Sequence, residues 1–149
     1  MTALTLDARG HRAPAWFWAT AAFGVLWNLY GISQFIGSLT PAGRSAMAAG
    51  MTAAQAQVYF SLPGWMTAVF AIGVFGGLLG SLALLARRAA ALPLLAVSLA
   101  GYIALFAGDL HFGVFDALPG QLAILAFVVV VAVALLAAAR AARARELLR

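Results

Sequence analysis

The chain has 149 residues, of which 65% are hydrophobic and only 9% charged, and its formal net charge is +5. A mean hydropathy of +1.02 lies outside the range of water-soluble domains, so the chain reads as one integral membrane domain with no room for a folded extramembrane module. The lack of cysteine excludes disulfide exchange, thiolate catalysis and cysteine-held metals.

Four apolar runs, at about 13–36, 65–85, 93–112 and 121–139, each meet the roughly 20 residues needed to cross about 30 Å of hydrocarbon. The expected fold is therefore an all-α, integral membrane four-helix bundle. The first run opens on Trp16, Phe17 and Trp18, aromatic anchors for an interface. It is too long for the apolar core of a cleaved signal peptide and carries Asn28 within it, so it reads as a retained helix. Gly24, Asn28 and Gly31 share one face, with Tyr30 and Gln34 displaced around the cylinder. Asn28 would be poorly solvated against lipid, which leaves it an interhelical hydrogen bond or a ligand contact.

The connection at 37–64 is the longest. Thr40-Pro41 can start a short helix that Gly50 ends, and Thr52 with Gln55 has the spacing of a capping box for a second turn or two reaching about Phe60. The product is a helical cap on the outer membrane surface, either packed over the bundle or acting as a lid. In the second span Gly73, Gly77 and Ser81 repeat every fourth residue, and Gly76 with Gly80 adds an offset row. Rows of small residues let backbones approach closely, here toward another helix of the chain or toward another subunit.

A tight turn at Arg87 and Arg88 makes spans two and three antiparallel neighbours. Span three places Ser98, Tyr102, Leu105 and Asp109 within a narrow arc flanked by Gly101 and Gly108, a face directed into the bundle. Asp109 is a functional candidate by its place near hydrocarbon, or, within about a turn of the outer boundary, a capping or interfacial residue that reaches water. His111 points about 200° away from Asp109 on an ideal helix. Span four is alanine, valine and leucine with Phe127 and without a polar side chain from Ala126 to Ala139, so much of its surface faces lipid.

All nine basic residues are arginine, and eight fall on one side of the membrane: Arg9, Arg12, Arg87, Arg88, Arg140, Arg143, Arg145 and Arg149. Only Arg44 lies opposite, so both termini and the Arg87–Arg88 turn are expected in the cytoplasm. The same placement accounts for the positive charge through topology and anionic headgroups, without a nucleic acid partner.

Chemistry is sparse. A haem between helices needs two facing histidines within the spans, and only His111 is there. A proton-coupled small multidrug exporter would carry a glutamate within the membrane, whereas the sole glutamate is Glu146 in the tail. Asp109, His111 and Asp116 are the only candidates for a metal trio. No catalytic set, metal site or cofactor is therefore assigned. Asn28, Tyr30, Gln34, Tyr102, Asp109 and His111 all fall in the outer half of the membrane, which suggests a polar pocket open to the outside. The inner halves offer only Ser81 and Ser98, so one subunit has no continuous polar path across.

Several segments resemble a group of small, four-span bacterial inner-membrane proteins often labelled putative sugar transporters. They are Trp27-Asn28-Leu29-Tyr30-Gly31, Pro63-Gly64-Trp65, Val74 to Gly80, Arg87-Arg88, and Leu92-Pro93-Leu94-Leu95 with Ser98-Leu99. The resemblance covers roughly 27–101 and brings no assigned functional residues. Here alanines follow Arg88 where that group commonly has an aromatic. Two expectations follow. In one, the chain is a structural or accessory subunit of a larger membrane complex, docking through the glycine rows of span two. In the other, it is a homo-oligomeric binding or transport protein for a small polar, sugar-like solute. The polar contacts would then be Asn28, Tyr30, Gln34, Tyr102 and Asp109.

Overall fold

The computed structural model describes residues 13–149, so Arg9 and Arg12 lie outside the described residues. The described chain is all-α. In order it forms α1 (Ala15–Leu39), α2 (Pro41–Ala48), α3 (Ala53–Phe60), α4 (Gly64–Leu85), α5 (Ala91–His111), α6 (Val114–Ala117) and α7 (Pro119–Ala144).

Three of these, α4, α5 and α7, are long and apolar enough to cross a membrane. The first expected span corresponds to α1. At 25 residues it is about 37 Å long, enough for the hydrocarbon. It is less apolar than the other three because indole and phenol rings and the polar Asn28, Ser33 and Gln34 interrupt it. The membrane character stated from the fold itself therefore rests on three helices.

Local sequence sets the breaks between helices. Thr40 caps α2 by accepting from the Gly43 N–H, with Pro41 in the first turn. Thr52 and Gln55 cap α3 reciprocally: Oγ1 accepts from the Gln55 N–H at 3.3 Å and Oε1 accepts from the Thr52 N–H at 2.9 Å. Gly113, with φ of 69°, occupies the left-handed region that ends α5 and turns the chain into α6.

α4 and α5 share the most extensive interface, followed by α1 with α4 and α5 with α7. The glycine rows of α4 are used within the chain. A Cβ on Gly73 would meet the Tyr102 ring at 2.7 Å, one on Gly80 would meet Leu95 Cγ at 2.7 Å, and one on Gly76 would touch Ser98 at 3.4 Å. Gly77 is covered by the Asn28 carboxamide of α1, and Gly24 of α1 by Ser81 and Leu135. Ser98 Oγ donates to the Gly73 carbonyl at 2.6 Å, tying α5 to α4. Ser81 Oγ is buried without a hydrogen-bond partner among the described residues.

The apolar core lies toward the end of the molecule that carries the α4–α5 turn, around Phe17, Leu84, Leu95, Leu135 and Ala139. The chain beyond α7 closes this end. Leu147 is buried there, Arg87 Nε donates to its carbonyl at 2.9 Å, and Arg149 exchanges backbone hydrogen bonds with Arg87 and Ala89, both 2.7 Å. Outward, each long helix exposes large apolar side chains, among them Leu26 and Leu29 on α1, Phe75 and Leu79 on α4, Val97 and Ile103 on α5, and Phe127 and Val130 on α7. Such a surface is consistent with contact to lipid. On α7 the opposite face, including Leu125, Ala132, Leu135 and Ala139, is buried.

Candidate functional site

At the other end of the molecule the long helices enclose a cavity of about 500 Å³. α1 contributes Trp27, Tyr30, Gly31 and Gln34 to its wall, α4 Met66, Thr67, Phe70 and Val74, α5 Tyr102, Leu105 and Asp109, and α7 Gln121, Ile124, Leu125 and Val128. Arg44 and Met47 of α2 and Tyr59 and Phe60 of α3 complete it. The two short helices are thus part of the cavity wall.

The helix periods explain the convergence. On α5, Tyr102, Leu105 and Asp109 are separated by three and four residues and share a face. On α1 the same spacing aligns Trp27, Tyr30, Gly31 and Gln34. Gly31 leaves room beside Val74, since a Cβ there would meet Val74 Cγ1 at 3.0 Å. The Tyr102 ring lies against Gly73, a position open only because that residue lacks a side chain.

Asp109 is the chemical centre of this space. The residue is 3% exposed and lines the cavity. The Gln121 carboxamide stands beside it, and Tyr59 is close enough to feel its charge. No basic side chain among the described residues pairs with it. Arg44, the one arginine in the wall, is held elsewhere: its guanidinium lies 4.6 Å above the Phe60 ring and donates to the Phe60 carbonyl at 3.5 Å. Burial, and secondarily the Asp109 carboxylate, push the Tyr59 phenol above its ordinary value, so it stays a neutral hydrogen-bond donor.

Of the residues singled out from sequence, Tyr30, Gln34, Tyr102 and Asp109 line one cavity. Asn28 and His111 do not. Asn28 is 2% exposed and sits below the cavity, where Nδ2 donates to the Gly24 carbonyl of its own helix at 2.7 Å. Its bond is intrahelical rather than interhelical because the carbonyl four residues back is the nearest acceptor once Oδ1 is pressed on Gly77. Asn28 also lines, with Ser98 and Tyr102, a void of about 10 Å³ beneath the cavity, about one water in size. His111 is exposed and packs edge-on against Phe112, on the far side of α5 from Asp109. Among the described residues no three His, Asp or Glu side chains gather, so Asp109, His111 and Asp116 do not converge.

Arg44, Tyr59, Thr67, Phe70 and Gln121 are wall residues that sequence reading did not assign to a site. Arg44 carried a signal, as the sole arginine away from the others; Gln121 carried one as the polar residue opening an otherwise apolar run. Comparison with family models, curated proteins and solved structures finds no match to this chain.

Proposed function

We propose that this chain is a four-span membrane protein that binds a small organic solute in the cavity around Asp109, with α1 as the fourth span. In this reading both termini and the Arg87–Arg88 turn are cytoplasmic, α2 and α3 cap the outer face, and the membrane is a bacterial inner one. The eight arginines on one side support that orientation, and the resemblance to small proteins labelled putative sugar transporters agrees with a solute of modest size.

The observation that carries the reading is a cavity of about 500 Å³ into which a buried carboxylate opens without a basic partner. Burying a carboxylate this way is costly and does nothing for packing, whereas a ligand site needs such a group. The accessory-subunit reading relied on the glycine rows of α4 as a docking face. Those rows are filled by α1 and α5, and the face that remains for a partner is the apolar surface suited to lipid.

A thermal-shift screen of small solutes on purified protein in mild detergent tests the proposal. Stabilising solutes are expected to lose their effect in Val128→Trp, whose indole occupies the cavity. If no solute shifts the wild-type protein, or if hits act equally on Val128→Trp, the cavity is not the binding site.

A further inference from the structure

The chemistry of the cavity narrows the solute, and the narrowing rests on the solute-binding reading above. A polyol site pairs each ligand hydroxyl with several fixed donors and acceptors. Here Gln34, Thr67 and Gln121 are polar wall residues, but the one buried charge, Asp109, stands among aromatic rings. Trp27, Tyr30, Phe70 and Tyr102 line the same space as Asp109, with Tyr59 beside the carboxylate. Ring faces attract a cation through their quadrupole, and a desolvated carboxylate supplies the counter-charge that a bound ammonium lacks once stripped of water. The local cation does not compete for that place, because Arg44 is engaged with Phe60 at the cavity edge.

The opening is also informative. Tyr30 is 60% exposed and Ile124 is 62% exposed, yet both belong to the wall, one on α1 and the other on α7. These two helices touch far less than α1 touches α4. Below the opening their seam is shut by Trp27 against Phe127, with ring centroids 5.4 Å apart. The cavity therefore opens sideways between two apolar helices, where an aliphatic or aromatic body can lie while its charged end reaches inward.

We propose that the cavity binds a monovalent organic cation, an ammonium group at Asp109 with an apolar body lying along the α1–α7 seam. Asp109 supplies the charge and the surrounding rings supply the cage.

Titration of purified protein with phenyltrimethylammonium, followed by tryptophan fluorescence, tests this directly. Benzenesulfonate serves as an anion of similar size and mannitol as a polyol. The expected result is saturable quenching by the cation alone, weakened on the order of tenfold to a hundredfold in Asp109→Asn. Asp109→Glu, which keeps the charge, should retain most of the binding; this separates lost charge from lost folding, and gel filtration of each variant checks the latter. Mannitol binding that survives Asp109→Asn would overturn the cation assignment while leaving a solute site in place. Absence of binding by all three probes, together with a silent thermal-shift screen, would remove both. Competition by phosphatidylethanolamine, and not by phosphatidylglycerol, would assign the ammonium to a lipid headgroup; indifference to both would assign it to a free solute. In either case the cation at Asp109 stands.

Discussion

Gly77→Ala isolates the contact on which the packing of α1 against α4 depends. The three nearest atoms to a Cβ at this position all belong to the Asn28 carboxamide, with Cγ at 2.7 Å and Oδ1 closer still. Asn28 is 2% exposed and anchored by its 2.7 Å bond to the Gly24 carbonyl, so it has little room to retreat. Overpacking of this kind costs about 1–3 kcal/mol, and breaking the side-chain hydrogen bond adds about 0.5–1.5 kcal/mol. Replacing glycine by alanine within a helix returns up to about 1 kcal/mol. The net expectation is a loss of about 0.5–4.5 kcal/mol, centred near 2, in reversible unfolding by SDS in mixed micelles. The decisive experiment is the cycle with Asn28→Ala. Removing the carboxamide removes all three obstructing atoms, so in that background Gly77→Ala should be neutral or mildly stabilising. The coupling between the two sites should be about 2 kcal/mol. Gly120, with nothing within 4 Å of its Cβ position, is the internal control, and Gly120→Ala should cost nothing. Additivity of Asn28→Ala and Gly77→Ala to within about 0.5 kcal/mol would refute the contact.

Thr52→Ala should cost about 0.5–2 kcal/mol of local stability by opening the capping box, read as faster amide exchange across α3. Gln55→Ala should loosen α6 as well, because Gln55 Nε2 donates to the Ala117 carbonyl at 2.9 Å. The raised value of the Tyr59 phenol has a definite sign in pH dependence. Its contribution to stability is fully present below the ordinary phenol value of 10.0 and is lost as pH rises through the higher folded value. Tyr59→Phe should therefore flatten the alkaline limb of an unfolding-versus-pH profile and leave neutral pH stability nearly unchanged. The absence of cysteine makes topology directly testable by substitution. Ser45→Cys should react with an impermeant maleimide on intact cells, and Ala89→Cys only after permeabilisation; the reverse pattern would invert the proposed orientation.

Long apolar runs and punctuation residues made the helices legible. Runs of 20 or so residues and signals such as Thr40-Pro41 and Thr52 to Gln55 lie within a few residues of α1 to α5 and α7. α6 was not legible, because its four residues are held by the turn at Gly113 and by packing rather than by a pattern of their own. The arc on α5 could be read because helical periodicity fixes which residues share a face. What periodicity cannot give is the angular relation between helices. Asn28 and Tyr30 were both candidate contacts of one pocket, yet the first is turned onto Gly77 and the second lies at the cavity mouth. The contribution of Arg44 and Tyr59 depended on how α2 and α3 fold back over the long helices. Close approach of α2 to α1 requires Gly43 to lie directly on the Gly37 backbone, a pairing invisible without coordinates.

One end of the molecule is closed by an apolar core and the other is hollow. Gly24 against Ser81, Gly77 against Asn28 and Gly80 against Leu95 draw α1, α4 and α5 together in the half that leads to the α4–α5 turn. In the other half α4 and α5 stay in close contact, since a Cβ on Gly101 would meet the Val69 carbonyl oxygen at 2.9 Å and one on Gly108 would meet Met66 Cε at 2.8 Å. The cavity lies beside that pair, walled also by α1 and α7, and Asp109 opens into it. Packing does not require a carboxylate in that wall. Leucine at 109 would suit the packing better, so the acidic group is the part of this architecture that requires a function to account for it.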